Sequence, residues 1–479
     1  MWNYTDHTWT CRQEDCGHDG NHALANFCVR CSEPYQDKFV NFVPILSDRD
    51  SNEPRSFLLN GIGSIDVLLN VFGLAVLVDK SQGELHVYNP LIGRDGGHMY
   101  SLKPVGGGTT GPQALQQVVF DQWWIYALTQ EGRLYILPVS CLAEEHAAAR
   151  TEWFQVQTQA ARIALLAVEG DRVFLVEKTN QDPDRLFVYL AGYSSVIQYW
   201  GGKDALRTGT ESGGIDPSEP ILTPLLDGWI APHPIQQLIP LAGKDHMDMY
   251  NNRREENTRI GLWYGDEIAL LSIEHPDQHQ LYTLNEKPGT GPDNQDFSVK
   301  GIHQMQACRI AYIGTQGDLI VLTWWDNGDF LQEKRLPGFA PLAVSHLGIQ
   351  TESDWESDAR LGLLNHSHAV VLDTTSQESQ SQWPTAGTVS LQFTEYSSFF
   401  GNMLAVYEQP EGNRPLQFSL IQFYEAGDPA RRRSWNIEGH KIPIAPPAGY
   451  GKYVYAVVED PKRLRNSQRT LLHYDLLDS

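Results

Sequence analysis

Between Val118 and Val139 the chain reads VVFDQWWIYALTQEGRLYILPV, two apolar β-rich runs on either side of a short turn at Glu131 and Gly132. That is the pattern of a β-hairpin. It returns as GLAVLVDKSQGELHVYN from Gly73, DRVFLVEKTNQDPDRLFVYL from Asp171, RIGLWYGDEIALLSI from Arg259 and RIAYIGTQGDLIVLTWW from Arg309. Further copies are ARLGLLNHSHAVVLD from Ala359, MLAVYEQPEGNRPLQFSLIQFY from Met403 and YVYAVVEDPKRLRNSQRTLLHYDL from Tyr453, eight hairpins in all. With Val76, Tyr126, Phe174, Leu262, Ala311, Leu363, Val406 and Ala456 as markers, the steps are 50, 48, 88, 49, 52, 43 and 50 residues. All but one agree. A unit of about 40 to 50 residues holding several short strands cannot bury its own faces and must stack on its neighbours. The period therefore predicts an all-β fold, a β-propeller of eight blades, or of seven if the fourth or sixth unit merges with a neighbour.

Each unit divides into four strands. In the second these are Ala114 to Phe120, Trp123 to Leu128, Arg133 to Val139 and Trp153 to Val156. In the seventh they are Val389 to Phe393, Asn402 to Tyr407, Leu416 to Tyr424 and Ser434 to Ile437. The last unit runs out of chain before an outer strand, and Phe39 to Leu46 (FVNFVPIL) is expected to supply it. Pro44 within that run is tolerated at a sheet edge. The propeller is thus expected over residues 39–479, with the long step of 88 holding an insertion at 201–257 that is rich in Gly, Ser, Asp and Pro at its start.

Residues 1–38 have a different composition, with almost no aliphatic side chains and four of the six cysteines. Cys11, Cys16, Cys28 and Cys31 are spaced C-x4-C-x11-C-x2-C. Too little core exists in this segment to fold it unaided, and four thiolates around a tetrahedral Zn²⁺ supply on the order of 10 kcal/mol in small modules of this kind. Three cysteines with His18 or His22 form an alternative ligand set, and a pair of disulfides a third reading. A site closed by four thiolates leaves no open position for catalysis.

Trp9-Thr10-Cys11, Cys16, an asparagine at Asn21 or Asn26, and Phe27-Cys28-Val29-Arg30-Cys31 resemble the Ran-binding-protein type, or NZF, zinc finger. The resemblance covers about 25 residues and implies a small recognition module for single-stranded RNA or ubiquitin. The ubiquitin-binding version carries Thr-Phe after the second cysteine, where this chain has Gly17-His18. The RNA-binding version is arginine-rich, whereas Arg12, Arg30 and Lys38 here face six acidic residues over 1–38. A ribbon that packs on a protein partner, or on its own propeller, is the simpler expectation, with Trp9, Phe27 and Arg30 as its partner-binding residues. Farther on, IYALTQEGRLYIL is similar to the PQQ or YVTN type of propeller repeat, over two strands per blade; this implies no quinone cofactor.

Motifs for chemistry are few. Gly106-Gly-Gly-Thr-Thr-Gly111 lacks the Lys-Ser/Thr of a phosphate cradle, Gly192-Tyr-Ser-Ser lacks the second glycine of a nucleophile elbow, and His366 with His368 has no third ligand nearby in sequence. Trp123-Trp124 is expected in the core. With 36 basic against 59 acidic residues the net charge is −23, which repels phosphate backbones and anionic lipid outside local basic patches. The one candidate patch comprises Arg431, Arg432, Arg433, Arg463 and Arg465, in turns of the last two units. The longest apolar run, Ile65 to Val78, falls short of the ~20 residues of a membrane span and reads as two buried strands. With no signal sequence recognisable and Cys141 and Cys308 isolated, the chain is expected in the cytosol. The reading that follows is a non-enzymatic scaffold that binds protein partners through a zinc ribbon and propeller loops. Nucleic-acid binding through the ribbon and the arginine turns, and an enzyme with its site in a central channel, are the alternatives.

Overall fold

Every one of the eight hairpins forms the central pair of an antiparallel sheet. The computed structural model describes residues 2–3, 8–9, 21–22, 46, 53–90, 97–106, 113–121, 123–142, 153–158, 160–169, 171–179, 183–192, 195, 221–241, 259–285, 302–304, 309–313, 318–324, 330–336, 343–348, 359–364, 368–373, 385–391, 394–400, 403–409, 414–423, 431–439, 441–461 and 468–476. The chain divides into two compact units, one of residues 1–41 and 63–234, the other of residues 42–62 and 235–479.

In the first unit, three four-stranded sheets follow one another over residues 63–234, each with its strands in chain order. The first sheet is Val67–Val71, Leu74–Asp79, Glu84–Asn89 and His98–Ser101. The second is Leu115–Phe120, Trp124–Thr129, Leu134–Pro138 and Phe154–Gln155. The third is Ile163–Glu169, Arg172–Glu177, Arg185–Leu190 and Thr223–Ile230. Ile65 to Val78 supplies the first two strands, as the sequence predicts. One hydrophobic cluster from Val71 to Leu222 runs through all three sheets, and it takes in Trp123, Trp124 and the free thiol Cys141.

The second unit repeats the plan. Its fourth, fifth and sixth sheets have as central pairs Arg259–Trp263 with Glu267–Ser272, Arg309–Ile313 with Leu319–Trp324, and Ala359–Leu364 with His368–Asp373. The seventh is Thr394–Phe400, Met403–Glu408, Gln417–Gln422 and Arg431–Asn436. Tyr453–Asp460 and Gln468–Asp475 are the central pair of the eighth.

Second strands such as LAVLVD, WIYALT, RVFLVE and MLAVYE are buried at every residue, because both faces are apolar and both are covered. Each ends on a buried polar residue with an assigned task. Asp79 accepts the Ser64 N–H at 2.9 Å and Glu177 the Ala161 N–H at 2.6 Å, tying the chain that enters the first strand to the end of the second. Thr129 Oγ1 accepts the Arg133 N–H at 3.1 Å within its own hairpin turn. Turn glycines join sheet to sheet. The Ile163 N–H donates to the Gly132 carbonyl at 3.0 Å, and a Cβ on Gly132, which sits at φ +80°, would fall 2.8 Å from the Ile163 oxygen.

Three expectations are revised. The outer strand of the eighth sheet is Arg55–Leu58, which pairs with Thr470 to His473, and not Phe39 to Leu46. Residues 39–45 lie outside the described residues, while Leu46 is a buried anchor on the seventh sheet, its N–H donating to Gln422 Oε1 at 2.8 Å. Both segments are β-prone, and only the long-range register separates them. The first strand of the seventh sheet is Thr394–Phe400 where Val389 to Phe393 was expected, since the pairing Phe400↔Met403 sets the register and leaves Val389 and Ser390 paired to the sixth sheet. The stretch 201–257 also holds two strands, Thr223–Ile230 and Gln237–Leu241. Pro224 and Gly228 make the first of these read as a loop, yet an outer strand accommodates both.

Two outcomes are expected from these contacts. Deleting residues 1–36 should leave the cooperative melt of the second unit in place, whereas deleting 1–62 removes Leu46 and a whole outer strand and should lower Tm by roughly 10 °C or more; equal midpoints would refute the assignment. The second concerns Asp121, whose carboxylate accepts the Trp123 and Trp124 N–H groups at 2.6 and 2.8 Å and the Tyr126 hydroxyl at 2.6 Å. Burial pushes its pKa up to about 7, against these bonds, which lower it. The fold therefore favours the protonated acid, and its contribution is full below the unfolded value near pH 4 and lost as pH rises to 7. Asp121→Asn should flatten the stability profile between pH 4 and 7 by roughly 3 to 4 kcal/mol, and an unchanged slope in urea titrations across that range would contradict this.

Candidate interaction surface

The outer strands expose what the central ones bury. Thr223–Ile230 displays Leu225 at 42% and Ile230 at 57% exposure. On other sheets Leu281 of Gln280–Thr283 and Leu58 of Arg55–Leu58 are likewise exposed. The backbone of Thr223–Ile230 is irregular: Pro224 has no N–H to donate, Gly228 lies at φ +73°, and the pairing to Arg185–Leu190 slips twice. Such bulges bend an edge and re-aim its side chains.

The arginine run lies on the outer strand of the seventh sheet, Arg431–Asn436, where strand alternation divides it between two faces. Arg431 Nη1 donates to the Leu46 carbonyl at 2.9 Å and so holds the N-terminal segment. Arg433 sits 5.1 Å from the centre of the Trp435 ring, a cation–π contact. On the opposite face Arg432 donates to the wholly buried Glu408 carboxylate and, at 3.2 Å, to the Ser390 carbonyl. Glu408 is the polar terminus of the buried strand Met403–Glu408, so this ion pair does in the seventh sheet what Asp79 and Glu177 do with backbone N–H groups in theirs. The three guanidinium groups thus point to three separate partners. Arg463 and Arg465 lie outside the described residues.

Trp9 lies in the short strand Thr8–Trp9, between Trp2–Asn3 and Asn21–His22, with Trp2↔Trp9 and Trp9↔Asn21 in register. Cys11, Cys16, Cys28, Cys31, Phe27 and Arg30 lie outside the described residues. Among the described residues no three of His, Cys, Asp and Glu gather to hold a metal ion, and no helix is long and apolar enough to cross a membrane. The exposed apolar residues of Thr223–Ile230 are the feature that sequence reasoning missed. A signal was present, since the hairpin of the third unit needs an outer strand, and TPLLDGWI holds the apolar side chains for it.

No protein-family model matches the chain, and no curated protein does. Among solved structures, the chain is similar to Sqt1 of Saccharomyces cerevisiae, with 10% identity, TM-score 0.47, and 89% of this chain and 99% of that one covered. It is also similar to the WD40 domain of SCAP from fission yeast, at 11% identity and TM-score 0.44 over 89% and 98% of the two chains. A third is BBS1N, solved in complex with ARL6DN, at 10% identity and TM-score 0.40 over 74% and 92%.

The arginine strand makes a graded prediction. Arg432→Ala leaves Glu408 buried and uncompensated and should destabilise by about 3 kcal/mol, toward the low end for a broken buried pair because the arginine is itself a third exposed. Arg433→Ala loses one half-buried cation–π contact and should cost about 1 kcal/mol. Urea midpoints that rank the two variants the other way would overturn this account.

Proposed function

We propose that the protein is a non-catalytic interaction scaffold, whose four-stranded sheets are the eight blades of a β-propeller and whose residues 1–38 form a zinc ribbon. The observation that carries this reading is the contrast between second strands buried at every residue in the first, second, third and seventh sheets and outer strands of the third, fourth and eighth sheets that present Leu225, Ile230, Leu281 and Leu58 to solvent. Exposed aliphatic side chains on a rigid support are the raw material of a protein interface. In the ribbon, Cys11, Cys16, Cys28 and Cys31 would hold one Zn²⁺, a structural ion that fixes Trp9, Phe27 and Arg30 for a partner. The pairing of Thr8–Trp9 with Asn21–His22 supports a small β-ribbon there. Arg431 and Arg432 direct their guanidinium hydrogens to Leu46, Ser390 and Glu408, which weighs against a phosphate-binding role for that strand.

The test is affinity capture from the native host with three tagged proteins: wild type, Leu225→Asp with Ile230→Asp, and Cys28→Ser with Cys31→Ser. At least one stoichiometric partner should be lost from the aspartate variant while its melting stays near wild type. The serine variant should lack the zinc found in the purified wild type. Partner sets identical across all three proteins would refute the reading.

A further inference from the structure

The first sheet carries a polar arrangement that the scaffold reading does not use. Cross-strand pairing places Glu84 opposite Asp79, and His86 opposite Ser101, all on one face. His86 Nδ1 lies 2.7 Å from Ser101 Oγ. The residue is 6% exposed, and its other ring nitrogen, Nε2, is buried without a hydrogen-bond partner. A Glu84 carboxylate oxygen, Oε2, stands 3.6 Å from that nitrogen. This separation is too long for a hydrogen bond. It is the right length for two ligands of one ion: with metal–ligand bonds of about 2.1 Å, atoms this far apart subtend an angle of about 120° at the metal.

We infer that His86 Nε2 and Glu84 Oε2 bind a divalent transition-metal ion of the Zn²⁺ class, with water in the remaining positions. Imidazole and carboxylate together are a donor set that such ions favour. In the ligating tautomer Nδ1–H donates to Ser101 Oγ and leaves the Nε2 lone pair on the metal side, the part that outer-shell partners of histidine ligands usually play. The Glu84 side chain is 39% exposed, which gives an ion a way in from solvent and water to complete its shell. Asp79 is not a ligand. Its oxygens accept from Ser64 N, Ser81 Oγ and Gln82 N; burial alone would raise its pKa, but these bonds outweigh it and hold the group at about 2, a permanent negative charge beside the site.

The site is separate from the four cysteines, and the experiment keeps the two apart. Full-length protein as purified is dialysed against Zn²⁺ alone, and uptake beyond the initial content is compared among wild type, Glu84→Gln, His86→Gln and Ser101→Ala. Wild type should take up one further equivalent that the first two variants do not. Ser101→Ala should retain the equivalent with affinity weakened roughly tenfold. Glu84→Gln replaces a partly exposed carboxylate by an amide of the same shape, so its fold is preserved and its melting curve verifies this. Equal uptake by wild type and Glu84→Gln, or no further uptake by wild type, overturns the proposal and leaves His86 Nε2–H in a long contact with Glu84.

Discussion

A four-stranded sheet whose second strand is apolar on both faces cannot stand in water, and this double-sided burial governs the rest of the molecule. Leu74–Asp79, Trp124–Thr129, Arg172–Glu177 and Met403–Glu408 have no solvent face at any residue. At ~25 cal/mol per Å² of apolar surface, covering such strands dominates the stability of each unit. The cost is that their polar ends are buried as well, and a buried carboxylate or hydroxyl without a partner costs about 1–3 kcal/mol or more. The repeat meets this with one position and several partners: backbone N–H groups for Asp79 and Glu177, a turn N–H for Thr129, an arginine from the outer strand for Glu408.

The path of the chain through the second unit adds a constraint on folding. Residues 42–62 belong to that unit although residues 63–234 intervene before the rest of it. Leu46 with Gln422, Leu46 with Arg431, and Ile62 with Arg469 are contacts across 376, 385 and 407 residues. Loop closure over such separations must precede the gain from pairing Arg55–Leu58 with Thr470 to His473, so these contacts belong late in folding. Arg431, on the outer strand of the seventh sheet, and Arg469, on the central strand Gln468–Asp475 of the eighth, each hold a carbonyl of the arriving segment, which fixes its register where four β-residues alone would be a weak guide.

The hairpins were legible in the sequence because their signal is local: alternating or continuous apolar runs about a turn, at a steady step. What the sequence left open was decided by partners far away. Phe39 to Leu46 and Arg55–Leu58 are equally plausible strands until the edge of Gln468–Asp475 selects one. Val389 and Ser390 could end one sheet or begin the next, and the pairing Phe400↔Met403 decides. Arg431 to Arg433 read as a patch because three like charges are adjacent, but alternation separates them and Glu408, hidden at the end of an apolar run, claims one. The contact of His86 with Ser101 was invisible for the same reason, being set by cross-strand register across fifteen residues.

The outer strands face a conflict that explains their chemistry. An unpaired edge invites any extended chain to add to it, so it has to be made unattractive, yet a binding module needs its surface available. Arg431–Asn436 meets the first demand with charge. Thr223–Ile230 does so with backbone: Pro224 removes a donor, and two slips in register with Gly228 at positive φ break the straight edge that strand addition needs. That leaves Leu225 and Ile230 displayed on an edge ill-suited to backbone pairing. On the proposed scaffold reading, recognition there comes from side chains fitting side chains, which selects by shape and tolerates no generic β-strand, so a partner for this strand would bring an apolar pocket or ridge of its own in place of an extended segment.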